Sequence, residues 1–227
     1  MKVVITGGTG ALGTAVVSHA LEQGFEVVVP EFTSSVPGAW PFASDVDLRT
    51  GMDLTNVAAV DALYGSVEDL WASVHCAGGF AWGSIEDVPY ARMWAMNAQT
   101  AFLCSRAAVR RLKAQGRGGR LVSVASRQAL HPMLGANTVA YTMSKAAVAA
   151  MTAALAAEVG PDGILVNAVA PGILDTSANR EAMPEADSSA WVSPEALARV
   201  IGGLIAPGQQ VTTGAVIPVY GAGGAGG

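Results

Sequence analysis

The sequence of 227 residues predicts an α/β domain in which a parallel sheet of about seven strands carries helices on both faces. Two patterns support this. Short β-branched runs alternate along the chain with longer helical stretches, an order that joins strands through crossover helices and makes them parallel. The first run, KVVIT at 2–6, passes directly into the glycine-rich turn TGGTGALG and then into an apolar-periodic helix.

Strands are expected at 2–6 (KVVIT), 25–29 (FEVVV), 71–76 (WASVHC), 120–125 (RLVSVA), 164–169 (ILVNAV) and 214–219 (GAVIPV), each bounded by glycine or polar turns. Residues 45–54 (DVDLRTGMDL) alternate poorly and are assigned the remaining strand mainly because a connection is needed there. Helices are expected at about 11–23, 56–64, 88–115, 141–159 and 194–205. The last has the clearest start, with Ser193 at the N-cap, Pro194 at N1 and Glu195 in the first turn. The terminal GAGGAGG is too glycine-rich to hold structure, so the domain is expected over 1–221 and a flexible tail over 222–227.

The length suits one domain, and 51% apolar residues suffice for a sizeable core. Charged residues make up 14% and the net charge is −5, which excludes the basic footprint of a nucleic-acid binder. Apolar runs are interrupted before the roughly 20 residues of a membrane span. MKVVITGG runs from one lysine straight into a strand and turn, unlike a signal peptide. Cys76 and Cys104 lack metal-ligand spacing and read as buried small hydrophobes of a reducing compartment. A cytoplasmic protein acting on a small molecule is expected, with no nucleic-acid, membrane or metal partner.

Glycines at a strand-to-helix turn let the backbone approach a pyrophosphate while helix N–H groups point at it. Gly7, Gly10 and Gly13, with Thr6 and Leu12 in the same turn, are therefore candidate cofactor-binding residues. Glu31 stands at the end of the second strand, where a nucleotide-binding fold places an acid to accept a ribose 2′-OH. No arginine or lysine lies between Lys2 and Arg49, so a 2′-phosphate would meet a carboxylate without a cation. NAD(H) is favoured over NADP(H).

In AYTMSKAAV at 140–148, Tyr141 and Lys145 stand four apart, on one helix face. A nearby ammonium favours phenolate and lowers a tyrosine pKa from about 10 toward working pH, as a general acid for a carbonyl oxygen requires. By itself the spacing also fits a surface Tyr–Lys pair; the order of the surrounding motifs decides between them.

That order resembles the short-chain dehydrogenase/reductase family over nearly the whole chain. The matching elements are TGGTGALG, Glu31, Asp53-Leu54 after the third strand, His75-Cys76-Ala77-Gly78 after the fourth, Asn97 in the long helix, LVSVAS, YTMSK and VNAVAPGILDT. The resemblance implies a single Rossmann-like, doubly wound domain and an oxidoreductase that moves a hydride between nicotinamide and a small carbonyl or secondary alcohol. It implies a catalytic tetrad of Asn97, Ser126, Tyr141 and Lys145. Ser126 would polarise the carbonyl and Tyr141 pass the proton. Lys145 would bind the nicotinamide ribose and depress the Tyr141 pKa, while Asn97 would support a relay water. Asp53, followed by Leu54, would contact the adenine, Ala77-Gly78 would keep a backbone role, and Thr176, in the run from Pro171-Gly172, would hold the carboxamide.

Three features depart from the family pattern. His75-Cys76 replaces a usual Asn-Asn, and Ala11 takes the place of a glycine in the short-form turn. Ser126 precedes Tyr141 by two residues more than is common, with HPMLGANTV between them. Ser123 is the alternative serine, expected to point away from the cleft. Arg127 and Arg180 read as solvated charges, and His131 as a turn residue before Pro132.

The loop 173–192 is expected to close over substrate. Its run Leu174 to Asp187, followed by Trp191, looks like the loop of dihydropteridine reductases, so NADH-dependent reduction of a quinonoid dihydropterin is the alternative activity. A non-catalytic dinucleotide sensor is disfavoured because the tetrad persists. Epimerase or dehydratase chemistry is disfavoured by the short stretch after Pro171-Gly172. Between 141 and 159 only Lys145 and Glu158 are charged. A helix apolar all round needs cover on every side, which predicts a homodimer or homotetramer through helices 88–115 and 141–159.

Overall fold

The computed structural model describes residues 1–35, 38 and 40–221. Its strands are β1 Lys2–Thr6, β2 Glu26–Pro30, β3 Asp47–Arg49, β4 Leu70–His75, β5 Gly119–Val124, β6 Ile164–Pro171 and β7 Val216–Val219. They form one sheet in the order β3-β2-β1-β4-β5-β6-β7, with every ladder parallel. The poorly alternating third run yields a strand of 3 residues at the sheet edge, paired only with β2 through Val28↔Asp47 to Pro30↔Arg49. An edge strand has one neighbour, so its sequence carries little of the usual strand signal.

Successive residues of β1 serve opposite faces. Val3 and Ile5 join a core with α1 (Ala11–Glu22) and α8 (Pro194–Ile205). Val4 joins a second core with α2 (Val57–Gly65), α4 (Thr100–Gln115) and α6 (Val139–Val159). Burial of both faces is why the strands read as continuous apolar runs. The Ser193 hydroxyl accepts from Ala196 N at 3.1 Å, which starts α8 where the sequence placed it.

The expected helix 88–115 is three pieces: α3 Tyr90–Met93, a π-helical turn Trp94–Gln99, and α4. The wider turn shifts the helix phase and places Asn97 inside the protein, 1% exposed. The short helices α5 (Arg127–Leu130) and α7 (Ser177–Ala182) lie in segments without legible periodicity. By length and hydropathy alone, residues 139–162 form the one helix among the described residues that is long and apolar enough to cross a membrane. The sequence argument from interrupted runs had excluded such a stretch. Here α6 packs on β6 and the π-helical turn and carries the buried Ser144 and Lys145.

The loop 173–192 is closed at its base. Leu174 bridges Val192 in parallel, Val192 N donates to Ile173 O at 2.9 Å, and Asp175 N donates to Val192 O at 2.8 Å. The expected tail at 222–227 lies outside the described residues. Strand order reverses between β1 and β4, and a ligand crevice forms beyond the carboxyl ends of strands at such a switch point.

Candidate active site

At that crevice the turn after β1 meets the turn after β4. Gly7 has a φ of +65°, and a Cβ there would lie 2.7 Å from Ala77 N. A Cβ on Gly13 would lie 1.9 Å from Gly7 O, so α1 seats on the turn only without a side chain at that position. Thr6 stands behind the turn, its hydroxyl accepting from Ala77 N at 3.3 Å, and Leu12 anchors α1 in the core. The result is a cleft of about 700 Å³ lined by Gly7, Gly10, Glu31 and Asp53-Leu54 on one side and Ala77-Gly78 on the other. Backbone approach at Gly7 and Gly10 and an acid at Glu31 fit a dinucleotide.

Glu31 is held by three donors. Thr9 Oγ1 reaches Oε2 at 2.5 Å, while Thr33 N and Oγ1 reach Oε1 at 3.0 and 2.9 Å. Burial raises its pKa, but these hydrogen bonds outweigh burial and hold the carboxyl below its ordinary value. Asp53 lies in the same cleft, with Oδ1 accepting from Thr55 N and Oγ1 at 2.8 and 2.7 Å. Arg49, paired in register beside Pro30, turns away to Asp47 at 2.7 Å and Ser66 at 2.6 Å.

Behind Gly78, which lines the cleft, Asn97 and Lys145 meet, and Tyr141 stands one helical turn before Lys145 on α6. Asn97 Oδ1 accepts from Gly79 N at 2.9 Å, and Nδ2 donates to Gly79 O and Ser144 Oγ, both at 3.0 Å. Lys145 Nζ donates to Val124 O at 2.8 Å. A Cβ on Gly78 would lie 2.6 Å from Asn97 Oδ1 and 3.3 Å from Lys145 Nζ, so this glycine is the floor shared by both. Ser126 follows β5 and caps α5, accepting from Ala129 N at 3.3 Å. Its side chain also influences Tyr141, in the first turn of α6, by opposing the rise of the phenol's pKa.

Charge at this centre follows burial. Desolvation lowers Lys145 to about 8, opposed by the nearby Cys76. The Cys76 thiol is pushed up to about 12 by burial, with Lys145 pulling it back. Burial also raises the Tyr141 pKa, and Ser126 opposes it. This corrects the expectation of a depressed phenol in the chain alone: desolvation outweighs the other influences, and the Lys145 ammonium is directed at Val124 O.

The family model for short chain dehydrogenases matches residues 1–187. The chain belongs to the short-chain dehydrogenase/reductase family. It is similar to an L-rhamnose 1-dehydrogenase (NAD(P)(+)) of Azotobacter vinelandii, 34% identical over 79% of this chain and 75% of that protein. It is 32% identical to a galactitol 2-dehydrogenase of Rhizobium johnstonii over 96% and 93% of the two chains. The solved structure of ElxO with NADP bound shares the fold at a TM-score of 0.84 and 21% identity, covering 96% of each chain.

In this short-chain dehydrogenase/reductase the departure at His75-Cys76 is compensated by a buried network. His75 Nε2 lies 2.9 Å from Ser73 Oγ, and Nδ1 lies 3.1 Å from Ser123 Oγ and 3.5 Å from Ser105 Oγ. Tyr64 OH extends the chain to Ser73 Oγ at 2.6 Å. Burial pushes His75 down to about 4, so it is neutral at pH 7. The network also engages Ser123 on the side facing α4, as its expected orientation required. Ser73 and His75, two residues apart on β4 and so on one face, were the available sequence signal.

Sequence reasoning also missed Ser144. It is fully buried, accepts from Asn97 and donates to Tyr141 O at 2.7 Å, tying the π-helical turn to α6. Thr176 caps α7, accepting from Asn179 N at 3.2 Å, on the chain leaving Pro171-Gly172. Arg180 is a solvated charge, as expected, and forms an exposed two-pronged pair with Asp175 at 2.6 and 2.8 Å. The Arg127 guanidinium lies over the Tyr220 ring at 5.1 Å, and the His131 ring lies 6.2 Å from the same ring.

Proposed function

We propose that this protein is an NAD(H)-dependent oxidoreductase of a small carbonyl compound or secondary alcohol, with Asn97, Ser126, Tyr141 and Lys145 as its reaction centre. The observation that carries this reading is that Gly78, which lines the dinucleotide-sized cleft, lies against both Asn97 and the buried Lys145, with Tyr141 one helical turn from that lysine. A nicotinamide dinucleotide, when bound, supplies or accepts the hydride. Gly7, Gly10 and Gly13 give its pyrophosphate a backbone approach, Glu31 accepts ribose hydroxyls, and Asp53-Leu54 and Ala77-Gly78 border the adenosine. Pro171, Gly172 and Thr176 border the nicotinamide.

Ser126 donates a hydrogen bond to the substrate oxygen, and Tyr141 gives that oxygen its proton during reduction. The raised pKa keeps Tyr141 protonated and ready to donate. Lys145, with a pKa of about 8, carries its proton at pH 7 and offers it to a ribose hydroxyl and to the phenolate left behind. Asn97 spends its side-chain amide on Gly79 and Ser144 and so fixes the floor beneath the ammonium. The loop 173–192, pinned at its base, closes over the substrate.

Preference for NAD(H) rests on Glu31 and on Arg49 turning away. Arg92, which lines the same cleft from α3, is the competing feature. Oxidation of NADH and NADPH is measured with purified protein against ketones, aldehydes, quinones and quinonoid dihydropterin. Turnover of a simple carbonyl with NADH ahead of NADPH is expected. Dominant NADPH use would overturn the role given to Glu31, dihydropterin as the sole substrate would establish the alternative activity, and tight NADH binding without turnover would indicate a sensor.

The outer side of α4 and α6 supports a homo-oligomer. Trp94 and Phe102 are 39% and 55% exposed, and with Ala98, Ala147, Val148 and Met151 they line a groove of about 360 Å³. A second copy would cover it. A monomer by light scattering at micromolar concentration would sink this reading. Two free cysteines, Cys76 and Cys104, accord with a cytoplasmic location, which fractionation of the native source would test.

A further inference from the structure

Against Tyr141 the structure has an aromatic wall. The Phe80 ring meets the Tyr141 ring edge-on, with centroids 5.0 Å apart at 73°. Phe80 is nevertheless 58% exposed: one part of it rests on the phenol and the rest is uncovered. It belongs to no core cluster among the described residues.

Its backbone is fixed on both sides. The Asn97 amide grips Gly79 through two hydrogen bonds, and Gly83 N donates to Asn137 O at 2.9 Å, on the approach to α6. The same residue that braces the reaction centre thus also positions the wall.

The segment 76–85, CAGGFAWGSI, has no charged side chain, and its one hydroxyl, Ser84 Oγ, is engaged by Asp87 at 3.0 Å. Trp82 extends the same surface, 69% exposed. A polyol pressed against the Phe80 ring would lose water without gaining a hydrogen bond from that ring, which disfavours it. A flat ring gains edge or face contact with Phe80 and loses no polar partner. Polar groups lie instead beside Ser126, where Arg127 and His131 flank Tyr220.

We propose that Phe80 is a specificity-determining residue, and that it selects carbonyl compounds whose carbonyl carbon bears an aromatic or conjugated ring. This rests on the oxidoreductase reading above and sets the chain apart from what the names of its rhamnose and galactitol relatives say of those proteins.

The test compares acetophenone, cyclohexyl methyl ketone and, in the oxidising direction, galactitol, using wild type, Phe80→Leu and Phe80→Tyr with NADH binding measured in parallel. Wild type is expected to prefer the aryl ketone. Phe80→Leu should lower kcat/KM for acetophenone about tenfold while changing that for the saturated ketone by less than about twofold. Phe80→Tyr should retain the preference, and NADH affinity should be the same in all three. Equal losses on both ketones, or galactitol as the better wild-type substrate, would overturn the role of Phe80 and leave the oxidoreductase reading standing. Absence of nicotinamide turnover with every compound, despite NADH binding, would overturn both.

Discussion

On the β1–β2 side of the cleft the backbone forms the surface, while on the β5–β6 side side chains do. Around Gly7 and Gly13 a single added carbon collides with main-chain atoms, so few residue types fit. On the second side the Phe80 ring meets Tyr141, and Arg127 and His131 meet the Tyr220 ring, contacts that other side chains could replace. On the proposed function the first side serves a cofactor of fixed shape and the second a substrate. Steric necessity leaves a legible sequence, whereas ring packing does not.

Breaking the backbone side should have the largest effect. Gly13→Val places side-chain atoms against Gly7 O, where a Cβ alone would lie at 1.9 Å. A loss of about 3 kcal/mol of stability in urea unfolding is expected, together with loss of measurable NADH binding. Normal binding by a folded variant would show that the turn has slack.

Between the two sides, His75 links β4 to β5. Its pKa is about 4 in the fold, against about 6.5 when unfolded, so the unfolded chain binds the extra proton first. Stability is therefore whole above about pH 6.5 and falls as pH drops toward 4, by up to about 3 kcal/mol from this one group. Unfolding curves across that window should flatten in His75→Asn. An unchanged pH slope would mean that other groups dominate.

A smaller effect sharpens the cofactor side. Glu31→Ser removes the carboxylate that Thr9 and Thr33 hold, and should shift the NADPH to NADH ratio of kcat/KM by about tenfold toward NADPH. The smallest effect belongs to the loop. Asp175→Asn breaks the exposed pair with Arg180 and should leave melting unchanged while raising KM more than it lowers kcat.

Six of the seven strands and the glycine turn were legible because burial on both faces and close backbone approach restrict composition. β3 was marginal because an edge strand of three residues imposes little. Asn97, Ser126, Tyr141 and Lys145 were singled out through motif order, and Asn97 and Lys145 both lie against Gly78 at the cleft. The break at Trp94–Gln99 was not legible, since a π-helical turn changes hydrogen-bond register without changing composition. The His75 network and the Phe80 contact join residues far apart in sequence, so local pattern could not reveal them. The phenol's raised pKa depends on the depth of burial, which spacing does not encode.

Tyr141→Phe shows whether Tyr141 gives the substrate its proton, with NADH affinity measured by fluorescence and kcat/KM with the best carbonyl substrate. Unchanged NADH affinity and a fall in kcat/KM of about 10²–10⁴-fold are expected. A rate within a few-fold of wild type, or a loss matched by an equal loss of NADH affinity, would contradict that role.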